Sequence, residues 1–302
     1  MKIEKDIRVE MVRMEGDVAP FVQVDYMDKE AQEHTGLMLL DSGSTVNVLS
    51  SEMAGHIGKL CLLKDECTEV SSFAPNKKDF DNVSFSFALG GKVFKDTFCL
   101  CDKPMLIKVR GMEVIGLVGT KFLRDNHLVI DYGDFTLHTS HISPENLAIA
   151  ECDFFFPMEI GIKHYQLPVL SVKQKGKVLV TLLDTGSANN MIAKQTLTEN
   201  EFKCQYLKDG GTIETLTGEV GVDSAFVCFN MLSLEEDGIR EISGYDNFKV
   251  LPHYIYPSHA FECETGEEQV PPIELLIGAA FMAAEGWTLD FDANIIYRLK
   301  AA

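Results

Sequence analysis

Two aspartates occupy the same place in two copies of one short pattern. Leu39-Leu40-Asp41-Ser42-Gly43-Ser44 and Leu182-Leu183-Asp184-Thr185-Gly186-Ser187 each carry an apolar run into an Asp, then a small hydroxyl residue, a Gly and a Ser. Close to half of the 302-residue chain separates them. Two carboxyls brought together can share one proton. One then takes a proton from a water while the other gives its proton to a carbonyl oxygen. Like charges held close cannot both ionise, so their pKa values split. Read singly, Asp-Ser-Gly is a good turn sequence and each Asp would be a turn aspartate. Read as a repeated pair, they point to a duplicated unit whose copies each deliver one carboxylate to a shared site.

The elements that must position them repeat as well. Upstream stand Pro20-Phe21-Val22-Gln23-Val24 and Pro168-Val169-Leu170-Ser171-Val172, each a strand entered through a proline. The first copy carries about five extra residues before its Asp, placed in the polar hairpin Met27 to Thr35. Downstream, Leu117-Val118-Gly119 followed by Phe122 matches Leu276-Ile277-Gly278 followed by Phe281. Asp131 and Asp290 then recur at equal distance from those glycines and read as structural, in a late strand or its turn. The second copy holds about sixteen more residues between Asp and Gly, and the polar segment Ser233 to Asn247 is the expected insertion. Gly43 and Gly186 allow main chain to approach the carboxylates closely. Asn47 and Asn190 both lie six positions after the Asp, where polar support and solvated surface are equally open readings.

This order of elements resembles the retropepsin-like aspartic proteases, with two such modules fused as in the two-lobed pepsin-like enzymes. The resemblance implies an all-β fold of two β-barrel lobes related by a pseudo-twofold axis, residues 1–150 and 151–302. It implies an aspartic endopeptidase acting on a polypeptide substrate through Asp41 and Asp184, with no cofactor and no metal. It also implies that Ser42 and Thr185 reach across to lock the two loops together, and that the runs ending in Gly119 and Gly278 cross behind them. Capped turns and strand-end glycines are the plainer readings of those residues. Ser44 and Ser187 are expected to donate their hydroxyls to the carboxylates and lower the pair's pKa. The resemblance further calls for a flap, a hairpin that closes over substrate. Its candidates are Ser71 to Lys77 and Thr212 to Val220. Neither tip is glycine-rich, so a catalytically weak or inactive peptide-binding protein on the same fold is the competing reading.

Composition bounds the alternatives. The chain is 46% hydrophobic and 24% charged, an ordinary globular balance, and its length suits two domains. A net charge of −19 argues against nucleic acid and anionic membrane surfaces as partners. No apolar run approaches the ~18 residues of a membrane span. The charged start Met1-Lys2-Ile3-Glu4-Lys5-Asp6 lacks the apolar stretch of a signal peptide, so a cytoplasmic location is the expectation. A signal removed beforehand would leave the same N-terminus. The expected working form is a monomer whose carboxyl pair forms within one chain.

Eight cysteines show no CxxC pair and no zinc spacing, so they read as reduced, small apolar residues. Cys99 and Cys101 share one face of an expected strand. The histidines are scattered, and no nucleophile-elbow signature is present. Gly116-Leu117-Val118-Gly119 lacks the Lys-Ser/Thr ending of a phosphate loop. Val83 to Phe87 alternates with period two, Gly90-Gly91 is a hairpin turn, and Val93 to Leu100 returns. Short helical turns are expected at Ser50 to Gly55, Thr120 to Asp125, Ala193 to Leu197 and Ala279 to Glu285. The first sixteen residues read as a strand, and Ser140 to Pro157 as the join between halves.

Overall fold

The computed structural model describes residues 6–16, 18–57, 62–71, 77–102, 107–140, 152–158, 167–235, 238–256 and 271–299. Within these residues the fold is mostly strand, in two sheets of matching order, a third that joins them and a two-stranded hairpin.

The first sheet runs Phe21–Met27, Glu33–Asp41, Met112–Gly119, Val48–Leu49, Lys92–Leu100, Lys77–Leu89, Leu62–Ser71. The second runs Val169–Gln174, Lys177–Asp184, Ile273–Gly278, Asn190–Ala193, Gly238–Leu251, Asp223–Glu235, Lys203–Leu207. The correspondence reaches the register. Asp41 lies opposite Gly119 in a parallel pair, and Asp184 lies opposite Gly278 in another. Parallel pairing places both strand ends at one edge of each sheet, so Asp and Gly arrive side by side.

Alternation builds these strands. Along Lys77–Leu89, Val83, Phe85, Phe87 and Leu89 are buried, while Ser86 faces solvent. Gly90 and Gly91 both take positive φ, +59° and +78°, the two-residue hairpin turn that only residues tolerant of this region form easily. Four short helices follow the strands at Met53–Ile57, Thr120–Asp125, Lys194–Glu199 and Ala279–Ala284, within a few residues of the expected turns. Phe122 and Phe281 anchor two of them. Phe122 packs on Phe87 and Phe94, with centroids at 5.7 and 5.2 Å, and Phe281 packs on Phe229 and Trp287 at 5.5 and 5.4 Å. The strand ending in each Gly is thereby continued into a buried helix that cannot drift.

The third sheet takes strands from both halves, in the order Arg8–Glu10, Thr136–Thr139, Leu128–Asp131, Thr288–Asp290, Ile295–Leu299, Cys152–Pro157. Leu128–Asp131 pairs antiparallel with Thr288–Asp290, so the two copies are tied by main-chain hydrogen bonds. Asp131 accepts the amides of Gly133 and Asp134. Asp290 accepts those of Asp292 and Ala293. Both are turn-forming aspartates of this joining sheet.

Several expectations change. The extra residues of the second copy do not sit in one insertion. The matched strands place Asn82 opposite Cys99 and Ser224 opposite Lys249. The first connection spans 17 positions and the second 25, so the hairpin takes only about half of the excess. The rest falls between Lys249 and Gly278. Among the described residues 6–16, Arg8–Glu10 is the strand, with Val12 bridged to Phe21. The segment 141–151 of the join and 72–76 of the first flap candidate lie outside the described residues, as do Cys61 and Cys263. Cys67, Cys99, Cys101, Cys152, Cys204 and Cys228 are thiols. No helix among the described residues is long and apolar enough to cross a membrane.

Candidate active site

Asp41 and Asp184 end their strands facing each other across the boundary between the halves, and their carboxyls are in hydrogen-bonding contact. Four hydrogen bonds hold the loops that carry them. The Ser42 amide donates to Thr185 Oγ1 at 2.9 Å, and the Thr185 amide donates to Ser42 Oγ at 2.9 Å. Each hydroxyl then donates onward to the opposite strand, Ser42 Oγ to the Leu183 carbonyl at 2.7 Å and Thr185 Oγ1 to the Leu40 carbonyl at 2.6 Å. Both residues are fully buried. Every bond is satisfied only if both loops are in place, so the lock is cooperative.

The glycines are required by space. A Cβ on Gly43 would stand 2.3 Å from the Asp184 carboxyl carbon, and one on Gly186 would stand 2.4 Å from that of Asp41. No side chain fits there. Each glycine also donates its amide to its own half's carboxylate, Gly43 to Asp41 Oδ1 and Gly186 to Asp184 Oδ1, both at 2.9 Å. Gly119 and Gly278 pass directly behind the loops. A Cβ on either would meet main-chain oxygens at 2.6 and 2.7 Å, those of Ser44 and Val46 for Gly119 and of Asn189 and Ser187 for Gly278.

Ser44 and Ser187 act otherwise than expected. Their hydroxyls donate to the carbonyls of Val46 and Asn189, at 2.7 and 2.9 Å, and close their own turns. The nearby carbonyl two residues on is the easier partner. It is the main-chain amides that reach the carboxylates, Ser44 to Asp41 and Ser187 to Asp184 Oδ1, the latter at 3.1 Å.

Burial raises the pKa of both carboxyls. Asp41 is pushed well above the ordinary range, first by burial and then by the Asp184 charge. For Asp184 the burial effect is opposed by the bond with Asp41 and by the amides of Gly186, Ser187 and Gly43. The pair therefore titrates as one unit and holds a shared proton above the ordinary carboxylate range. The half-buried Tyr256 phenol is raised too, by burial and then by the Asp184 and Asp41 charges, which puts it in the field of the pair.

A hairpin of the second half reaches across to the first. Thr212–Thr215 pairs with Gly218–Gly221, and its base residues Ile213 and Val220 pack with Val169, Leu182 and Ile255 of their own half. Leu216, at the tip, packs instead into an apolar cluster of the first half formed by Val48, Val70, Phe80, Cys99, Cys101 and Leu117. The hairpin thus spans both halves, and its turn is held by Thr215 Oγ1, which accepts the Thr217 and Gly218 amides.

Residues outside the expected set complete the site. Asn47 and Asn190 are buried, not solvated, and accept the Gly119 and Gly278 amides through Oδ1 at 3.0 and 2.9 Å. Their partners, Asp96 and Asp246, were legible only as a second repeat, Asp96-Thr97-Phe98 and Asp246-Asn247-Phe248. Among the described residues no group of three or more His, Cys, Asp or Glu is placed to hold a metal ion.

No family model and no curated protein matches the chain. Among solved structures it is similar to the crystal structure of aspartic proteinase from Irpex lacteus, with a TM-score of 0.53 and 10% identity over 99% of this chain and 98% of that one. At this identity the likeness shows the fold: the chain has the all-β, two-lobed architecture of an aspartic protease.

Proposed function

We propose that the chain is an aspartic endopeptidase, two lobes divided near residue 150, which hydrolyses peptide bonds with a water activated between Asp41 and Asp184. The observation that carries this reading is the contact of two carboxyls, one from each half, with Asp184 buried and Asp41 half-buried, held by loops that exchange equivalent bonds. One carboxyl of the pair is ionised and serves as the base; we assign that role to Asp184, which accepts the Gly186 and Ser187 amides at one oxygen. Asp41 keeps the proton and is the acid. Asp184 takes a proton from water as the water oxygen bonds to the carbonyl carbon, and Asp41 gives its proton to the carbonyl oxygen. A neutral tetrahedral diol results. The roles then reverse: Asp184 gives its proton to the amide nitrogen, the C–N bond breaks, and Asp41 recovers a proton from the diol hydroxyl. The products are a carboxyl and an amine, and no bond to the enzyme forms.

The substrate is a polypeptide, seated under the hairpin Thr212–Gly221, and one chain makes one site. Asp41→Asn or Asp184→Asn alone should abolish cleavage of a mixed peptide library while leaving the fold intact, because Asn cannot exchange the proton. Cleavage retained in either variant would refute the shared mechanism. A wild-type chain that binds peptides without cutting them would make it a peptide-binding protein.

A further inference from the structure

Each half carries a second polar pair, a buried Asn bonded to a half-exposed Asp, that the chemistry above does not use. Asn47 Nδ2 donates to Asp96 Oδ2 at 3.1 Å and to the Thr97 carbonyl at 3.2 Å, and Asn190 Nδ2 donates to Asp246 Oδ2 at 2.8 Å. The other end of each amide accepts Gly119 or Gly278, the residues in register with Asp41 and Asp184. One planar amide therefore joins three segments: the carboxylate loop, the strand end behind it and the strand bearing the second aspartate. Only a side chain with both an acceptor and a two-proton donor can do this, which fits Asn and excludes Asp or Leu.

These ties lie at the far end of each loop from the Ser42–Thr185 lock. Main-chain bonds run beside them, from Thr120 to the Ser44 carbonyl at 2.8 Å and from Ala279 to the Ser187 carbonyl at 2.7 Å. Gly43 lies against the Asp184 carboxyl and Gly186 against that of Asp41. A loop that shifts at its Asn end consequently moves main chain against the opposite carboxyl.

We propose that Asn47–Asp96 and Asn190–Asp246 are paired positioning braces that set the separation of the Asp41 and Asp184 carboxyls and so how strongly they share one proton. The purpose of that sharing rests on the proteolytic reading. The separation itself is readable without catalysis.

The test is a carbon-13 NMR titration of aspartate carboxyls on the full chain, paired with peptide-cleavage kinetics. The quantity read is the gap between the pair's two macroscopic pKa values, since the protons belong to the pair. Asn47→Leu and Asn190→Leu should each narrow the gap by about one pH unit or more. Where cleavage is measurable, kcat should fall about tenfold with KM little changed, the mark of lost alignment. Asn200→Leu is the structural control. Asn200 is as buried, and its amide donates to the Thr196 carbonyl at the end of the helix Lys194–Glu199, outside the loop that carries Asp184. It should cost stability and leave the gap alone.

Should the Leu variants fail to fold, Asp96→Ala and Asp246→Ala cut the same ties at their half-exposed ends and should narrow the gap too. An unchanged gap in the brace variants, or equal narrowing in Asn200→Leu, would overturn the proposal. A gap that narrows as stated in a chain without peptidase activity would instead retain the braces and defeat the proteolytic reading.

Discussion

Ser42 and Thr185 exchange main-chain amides for side-chain hydroxyls across the boundary between the halves, each at 2.9 Å. Neither residue can be satisfied by its own half, so one residue type at two positions makes the fold and the site a single cooperative object. Removing either hydroxyl leaves a buried amide without its acceptor and a buried carbonyl without its donor. Ser42→Ala and Thr185→Val should each lower unfolding stability by about 1–3 kcal/mol and reduce cleavage sharply. Thr185→Ser, which keeps the hydroxyl, should retain most of both. Urea unfolding beside a cleavage assay checks this.

Gly43→Ala places a methyl 2.3 Å from the Asp184 carboxyl carbon and should separate the loops. Gly55→Ala, in the helix Met53–Ile57, meets nothing within 4 Å and should be neutral or slightly stabilising. Loss of activity in the first with normal activity in the second ties the effect to contact rather than to glycine as such. Equal behaviour of the two variants would contradict it.

Leu216→Ser removes the apolar tip that seats the hairpin on the first half. Leu216 is half-buried, so losing its contact costs less than the roughly 1.5–3 kcal/mol of a fully buried leucine and shifts the hairpin toward an open state. A hydroxyl-bearing transition-state mimic should then associate faster and dissociate faster, as measured by stopped-flow. Unchanged rates would show that the tip contact does not gate the cleft.

The carboxyl pair should weaken the fold where it ionises. Asp41 holds its proton more tightly folded than unfolded, so its stability contribution is complete below the ordinary carboxyl range near 3.8 and is lost as pH rises through the raised folded value. Asp41→Asn removes that loss. The variant should melt higher than the wild type at pH 7, with the advantage shrinking toward pH 3. A lower melting point at pH 7 would mean that burial does not dominate at this residue.

The same shifts set the pH–rate profile. Cleavage needs one proton on the pair, and burial raises both limits while the Asp184 amides restrain the lower one. Ser44→Ala and Ser187→Ala together should leave the acidic limb in place, since those hydroxyls donate to Val46 and Asn189. A shift of that limb would place the hydroxyls on the carboxylates after all.

Much of this architecture is written locally. The two Asp motifs, the runs ending in Gly119 and Gly278, and the Phe122 and Phe281 anchors each occupy a few adjacent residues, and period-two alternation marks the hairpin around Gly90-Gly91. What escaped was long-range or competitive. The Asn47–Asp96 and Asn190–Asp246 bonds join residues 49 and 56 positions apart, so a buried Asn could not be told from a surface one. Ser44 and Ser187 looked like carboxylate donors because they stand beside the Asp, yet a carbonyl two residues on captured both. The reach of Leu216 across the cleft depends on how the halves face each other, which spacing within one half does not encode.

The most direct test of the account is calorimetric titration with a pepstatin-type inhibitor of the wild type, Asp41→Asn and Asp184→Asn. A pair formed within one chain predicts one inhibitor per chain for the wild type and abolished or drastically weakened binding in each variant. One inhibitor per two chains, or undiminished binding to either variant, would contradict it.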